Sequence, residues 1–109
     1  MGKTLHVTYD GETYTLEYTR ETVSIMEKQG FRIRDIEDMP MSTIPALFAG
    51  AFLAHHRKIK AGVITKIFER MTDKEGLIRK LSEMYAEPLD TLIDEPEGDE
   101  GNATWGADF

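Results

Sequence analysis

Residues 4–18 read Thr4-Leu5-His6-Val7-Thr8-Tyr9-Asp10-Gly11-Glu12-Thr13-Tyr14-Thr15-Leu16-Glu17-Tyr18. Two alternating runs meet at Asp10-Gly11, a dipeptide that tolerates the positive φ of both central positions in a type I′ turn, so the stretch is predicted to be a β-hairpin. A two-residue turn sets Val7 opposite Tyr14 and Leu5 opposite Leu16. The apolar side chains then share one face, and His6, Thr8, Thr13 and Thr15 share the other. An isolated two-stranded hairpin is marginal in water, so that apolar face needs a cover. The segment from Ile44 is expected to supply it.

Beyond the hairpin the pattern turns helical. Thr19 is suited to cap a helix over about 20–29, with Val23 and Met26 inward, stopped by Gly30 in the left-handed position that ends many helices. Phe31, Ile33 and Ile36 recur among charges in a segment that reads either as a short strand or as an irregular connector. Ser42 is the expected N-cap of the next helix, over about 43–58, with Pro45 tolerated in its first turn. Ile44, Leu47, Phe48, Ala51, Phe52 and His55 recur at three- and four-residue steps, which makes it the most buried helix expected. Val63, Ile64, Ile67, Phe68 and Met71 form one stripe of a helix over about 63–71. Thr72-Asp73-Lys74-Glu75 reads as a capping box opening a last helix over about 73–86, which Pro88 interrupts; Leu89, Leu92 and Ile93 are left for a short apolar turn. The expected fold class is therefore α+β and mostly helical: a hairpin over 4–18 packed on a small bundle of about four helices. It forms one folded domain over 1–93, followed by a disordered acidic tail over 94–109.

Charge supports that division. The 109 residues carry 20 acids and 13 bases, a net charge of −7. Six of the acids (Asp94, Glu95, Glu97, Asp99, Glu100, Asp108) fall after Ile93 with no base among them, so the preceding body is near neutral. No concentrated basic surface exists for phosphate neutralisation, which speaks against nucleic acid as a partner. The chain has no cysteine, so disulfides, thiolate metal sites and cysteine nucleophiles are excluded, and a reducing compartment is expected. The longest apolar stretch, Ile44 to Ala54, is shorter than the roughly 20 residues a membrane span requires, and the N-terminus lacks the apolar run of a secretory signal.

No catalytic, cofactor-binding or metal-binding constellation emerges. His55 and His56 are neighbours on an expected helix and point about 100° apart, so they are poorly placed to share a metal. His55 is expected on the edge of the apolar stripe and His56 among exposed bases. Glu37-Asp38 and Asp94-Glu95 lack the spacing of a calcium loop, and no serine lies in a nucleophile-elbow motif. The chain is therefore expected not to be an enzyme, and a small acidic binding protein is the better class. Two groups of residues are candidates for contact with a partner. Phe48, Phe52, Ile67, Phe68 and Met71 form stripes that either line grooves between helices or make up the core. Trp105 and Phe109 stand in the acidic tail, either as anchors for a partner or folded back onto the body.

The order of elements resembles that of the tail assembly chaperones of long-tailed bacteriophages. The likeness is carried by the hairpin Leu5 to Tyr18, by Ile25-Met26-Glu27-Lys28 closed by Gly30-Phe31, by Pro40-Met41-Ser42-Thr43 opening an apolar, alanine-rich helix, and by the later small helices and polar C-terminus. It covers Thr4 to Ile93. The resemblance implies a protein made in the bacterial host cytoplasm during phage or prophage morphogenesis and absent from the finished particle. Its partners would be the tape-measure protein and tail-tube subunits, and its role would be to help the tube polymerise, with no cofactor and no membrane involved. Homo-oligomerisation is left open. The alternative from a different class is a small acidic antitoxin or inhibitor that covers a basic partner, with the tail supplying affinity.

Overall fold

The computed structural model describes residues 3–94, 101 and 103–109. The chain runs β1 (Thr4–Tyr9), β2 (Glu12–Glu17), α1 (Arg20–Lys28), a 3₁₀ turn (Ile33–Ile36), α2 (Pro40–Gly50), α3 (Ala61–Arg70) and α4 (Lys74–Ile93). This is the expected α+β architecture, an N-terminal antiparallel hairpin with four helices. The register is as the turn dictates, with Val7 opposite Tyr14 and Leu5 opposite Leu16. Asp10 and Gly11 take φ of 52° and 79°, the two positive values that a type I′ turn requires.

Val7 and Leu16 carry the hairpin's apolar face into the core cluster, which also holds Leu47, Phe48, Ala51, Phe52, Ile67, Leu81 and Tyr85. Tyr14 packs edge-on against Phe52, with ring centroids 5.8 Å apart. Tyr18, just past β2, is buried and donates its hydroxyl to the Leu47 carbonyl at 2.6 Å. Burial pushes its phenol well above the ordinary value, and the neighbouring Tyr85 adds to the rise.

α1 forms as its caps dictate. The Thr19 hydroxyl accepts from the Thr22 amide and the Thr22 hydroxyl accepts from the Thr19 amide, a reciprocal box. At the other end Gly30 has φ 93°, and the amides of Gly30 and Phe31 return to the carbonyls of Glu27 and Met26. Phe31 is thereby delivered to the core, edge-on against Tyr85. The following segment is neither strand nor irregular connector but a 3₁₀ turn, which lies against α2.

The ends of α2 and α4 differ from expectation. α2 spans Pro40–Gly50 rather than 43–58: Pro40 stands at its start, where a missing N–H costs nothing, so the helix begins without Ser42 as cap. It ends early because bonding tightens from Ala51 to Leu53, whose amides reach back three residues. The Ala51 carbonyl accepts the Glu17 amide at 3.0 Å and the His56 Nε2 accepts the Thr15 amide at 2.9 Å. Residues 51–56 thus leave the helical path and cover the outer edge of β2.

α4 opens at Asp73, not in a Thr72–Glu75 box. Asp73 adopts φ 47° and its carboxylate accepts the Gly76 amide at 3.2 Å; a Cβ at position 76 would collide with that carboxylate. Pro88 does not interrupt α4, which continues to Ile93. The ring is buried, its fixed φ is helical, and near the end of the last turn Arg20 donates to the Thr91 carbonyl at 2.6 Å. Of the tail expected over 94–109, Glu95–Glu100 and Asn102 lie outside the described residues.

Candidate partner-binding groove

α2 is the helix whose composition is hardest to reconcile with a surface position. Its eleven residues, Pro-Met-Ser-Thr-Ile-Pro-Ala-Leu-Phe-Ala-Gly, include no charge, yet only Thr43, Leu47, Phe48 and Gly50 are buried. Pro40, Met41, Ser42, Pro45 and Ala46 face solvent. Met41 is 91% exposed and Met39, just before the helix, is 57% exposed. Unbranched, polarizable methionine adapts to differently shaped partners and is over-used at surfaces that accept several of them.

Beside this face runs a groove of about 500 Å³. Ala46, Ala49 and Gly50 of α2 line it with small side chains, and Met26, Met39, Leu53, Ile59 and Ile64 add larger apolar ones. The small side chains of α2 leave the space open. Gly50 also admits the side chain of Met26, since a Cβ there would overlap the thioether. Gln29, Arg32, Asp35, Ser42 and Thr43 supply polar groups around it, with Arg32 and Asp35 its only charges among the described residues. Such a lining offers apolar contact and a few orienting hydrogen bonds. A second apolar surface, formed by Leu89, Leu92 and Ile93, is exposed at the end of α4.

None of the seven residues expected from sequence to contact a partner lines this groove. Phe48, Phe52 and Ile67 are each about 1% exposed and belong to the core. Phe48 stacks between Phe52 and Phe68 at 5.2 and 5.1 Å, so no partner touches it without opening the domain. Phe68 and Met71 are half-buried against that core, with the Lys74 ammonium 5.8 Å from the Phe68 ring centroid. The periodicity located the apolar stripes, but it could not say how many of them one small core would cover. The overlooked signal was the absence of charge from Met39 to Ala54, which places apolar residues on every side of α2. That exceeds what one buried face needs.

The tail aromatics are on the surface: Trp105 is 88% exposed and Phe109 fully so. The paired substitution Trp105→Ala, Phe109→Ala should therefore shift stability by no more than about 0.5 kcal/mol. A thermal melt checks this, and a drop of several degrees would mean that the rings pack on the body.

The two histidines exchange their expected places. His55 is exposed and lies 2.7 Å from the Glu17 carboxylate. His56 is half-buried, edge-on to Tyr14, with its Nε2 accepting the Thr15 amide. That bond requires a neutral ring with its proton on Nδ1. Among the described residues no three His, Asp or Glu side chains are gathered as a metal site would need, and no helix is long and apolar enough to cross a membrane.

A family model described as a domain of unknown function (DUF5055) matches residues 1–109. No curated protein and no solved structure matches the chain.

Proposed function

The chain belongs to that family along its whole length, and from this premise we propose that it is a binding protein, a phage or prophage tail assembly chaperone that holds a helical segment of the tape-measure protein. The observation that carries the proposal is the uncharged, solvent-facing side of α2 beside an apolar groove. An amphipathic helix laid along such a groove buries its own apolar stripe against Met39, Met41, Ala46 and Ala49, while Arg32 and Asp35 fix its direction. A long helical partner that is prone to aggregate gains solubility by this cover, and the excess acids of the C-terminal segment keep the complex soluble.

Co-expression with the tape-measure protein encoded nearby tests it. The wild type should keep that partner soluble and co-purify with it, and high salt should not release it, because apolar burial is little screened. Met41→Glu combined with Ala46→Glu should reduce capture at least tenfold with no loss of fold, since both side chains already face solvent. Phe68→Asp is the poorer probe because that ring packs on Phe48. A folded protein that neither binds nor solubilises the tape-measure protein overturns the proposal.

The concentration of acids after Ile93, together with the exposed Trp105 and Phe109, favours a second possibility, an inhibitor that covers a basic partner. Its binding would fall with salt and with removal of residues 94–109.

A further inference from the structure

The two edges of the hairpin are treated differently. A two-residue turn makes Tyr9–Glu12, Val7–Tyr14 and Leu5–Leu16 the hydrogen-bonded pairs, so the amides of Thr13, Thr15 and Glu17 point away from β1, and the main-chain groups of Thr4, His6 and Thr8 point away from β2. The β2 side is closed, by His56 on the Thr15 amide and by Ala51 on the Glu17 amide. On the β1 side, none of the outward N–H and C=O groups of Thr4, His6 and Thr8 has a hydrogen-bond partner among the described residues. Natural edge strands are guarded by proline, by a lysine, by a bulge or by shortness. β1 has none of these: it is six residues long, unbroken in register, and uncharged from Thr4 to Tyr9.

We infer that β1 is a self-association edge, on which two copies of the chain pair their Thr4–Tyr9 strands antiparallel about a two-fold axis at His6 to make a four-stranded sheet. This register uses every outward main-chain group of Thr4, His6 and Thr8. It sets Thr4 opposite Thr8 of the second copy and Leu5 opposite Val7 of the second copy, and both are pairs that favour antiparallel ladders. No charge faces a like charge along the strand. Just outside it, Lys3 of each copy comes beside the turn of the other, which carries Asp10 and Glu12, so the ends are complementary in sign. The pairing also extends the apolar face across Leu5 and Tyr14, which the monomer leaves half-exposed. A proline, a charged strand or a like-signed flank would forbid a second copy, and the sequence has none of them here.

The edge shares no residue with the α2 groove, so the two proposals stand or fall separately. One strand per copy is a small interface of the weak, exchanging class. The full chain is therefore examined by sedimentation equilibrium up to about 1 mM. The expected result is a reversible monomer–dimer equilibrium. His6→Pro removes an outward N–H and leaves the β1–β2 ladder untouched, so it should give monomer at all concentrations with a wild-type circular dichroism spectrum. Should that variant unfold, His6→Lys decides instead. It sets two ammonium groups directly opposite each other and should raise the dissociation constant about fivefold. Wild type that remains monomeric throughout, or a dimer whose constant neither substitution moves, overturns the inference. So does a monomer whose β1 amides become protected from exchange only when the tape-measure protein is added.

Discussion

Phe52→Ala should destabilise the domain by about 3–5 kcal/mol, the range for removing a large buried aromatic ring. The residue is 1% exposed and stands where three parts of the chain meet. It packs on Phe48 from α2 at 5.2 Å, on Tyr14 from the hairpin at 5.8 Å, and on His56 at 6.2 Å. Truncation would leave a cavity under the hairpin and free the His56 ring that holds the Thr15 amide. A domain of this size has about 5–15 kcal/mol of stability in all, so a large fraction would be lost. Urea denaturation measures the change. Should Phe52→Ala instead leave the midpoint unmoved and weaken partner capture, the ring would be a contact residue, as the stripe pattern alone allowed, and its buried position would be wrong.

The second large effect is alkaline. Burial favours the neutral phenol of Tyr18 and raises its pKa far above the ordinary 10.0, and Tyr85 is raised in the same direction by burial and by the nearby Glu27 carboxylate. Below about pH 10 both states of the protein hold these phenols neutral, and the stability tied to them is fully present. Above it the unfolded chain ionises Tyr18 while the folded chain does not. Stability then falls as pH rises, by up to about 1.4 kcal/mol per pH unit for each phenol so affected. Denaturant midpoints at pH 7 to 11.5 should show this decline. Tyr18→Phe should flatten it while costing about 1–3 kcal/mol at neutral pH, because the Leu47 carbonyl loses its buried donor. An unchanged slope in that variant would mean that another group drives alkaline unfolding.

Local chemistry decided the elements whose causes lie within a few residues. Asp10-Gly11 determined the turn, and the turn determined the register of every pair from Thr4–Glu17 to Tyr9–Glu12, because a two-residue type I′ loop permits only one. Thr19 and Gly30 bounded α1 for the same reason: a hydroxyl beside an orphan amide and a glycine at positive φ act without help from the rest of the fold. The α+β class followed from two periodicities, of two residues and of about three and a half, read in order along the chain.

The tertiary structure alone decided what depends on a partner distant in sequence. α2 stops at Gly50 because the unpaired edge of β2 competes for the next carbonyl and for His56, and nothing in the run Ala51 to Arg57 reveals a strand edge that lies about forty residues earlier. α4 passes through Pro88 because that ring is buried and Arg20, 71 residues back, binds the Thr91 carbonyl near its end. The fate of the apolar stripes was settled in the same way. Spacing grouped Phe48 with Phe52 and Ile67 with Phe68 and Met71, but a small core has a finite capacity. Only the packing of hairpin and helices determined that Phe48, Phe52 and Ile67 would fill it, leaving Met39, Met41, Pro45 and Ala46 for solvent. Periodicity states which side chains lie together along one element; which of those faces is covered depends on contacts between elements far apart in the chain.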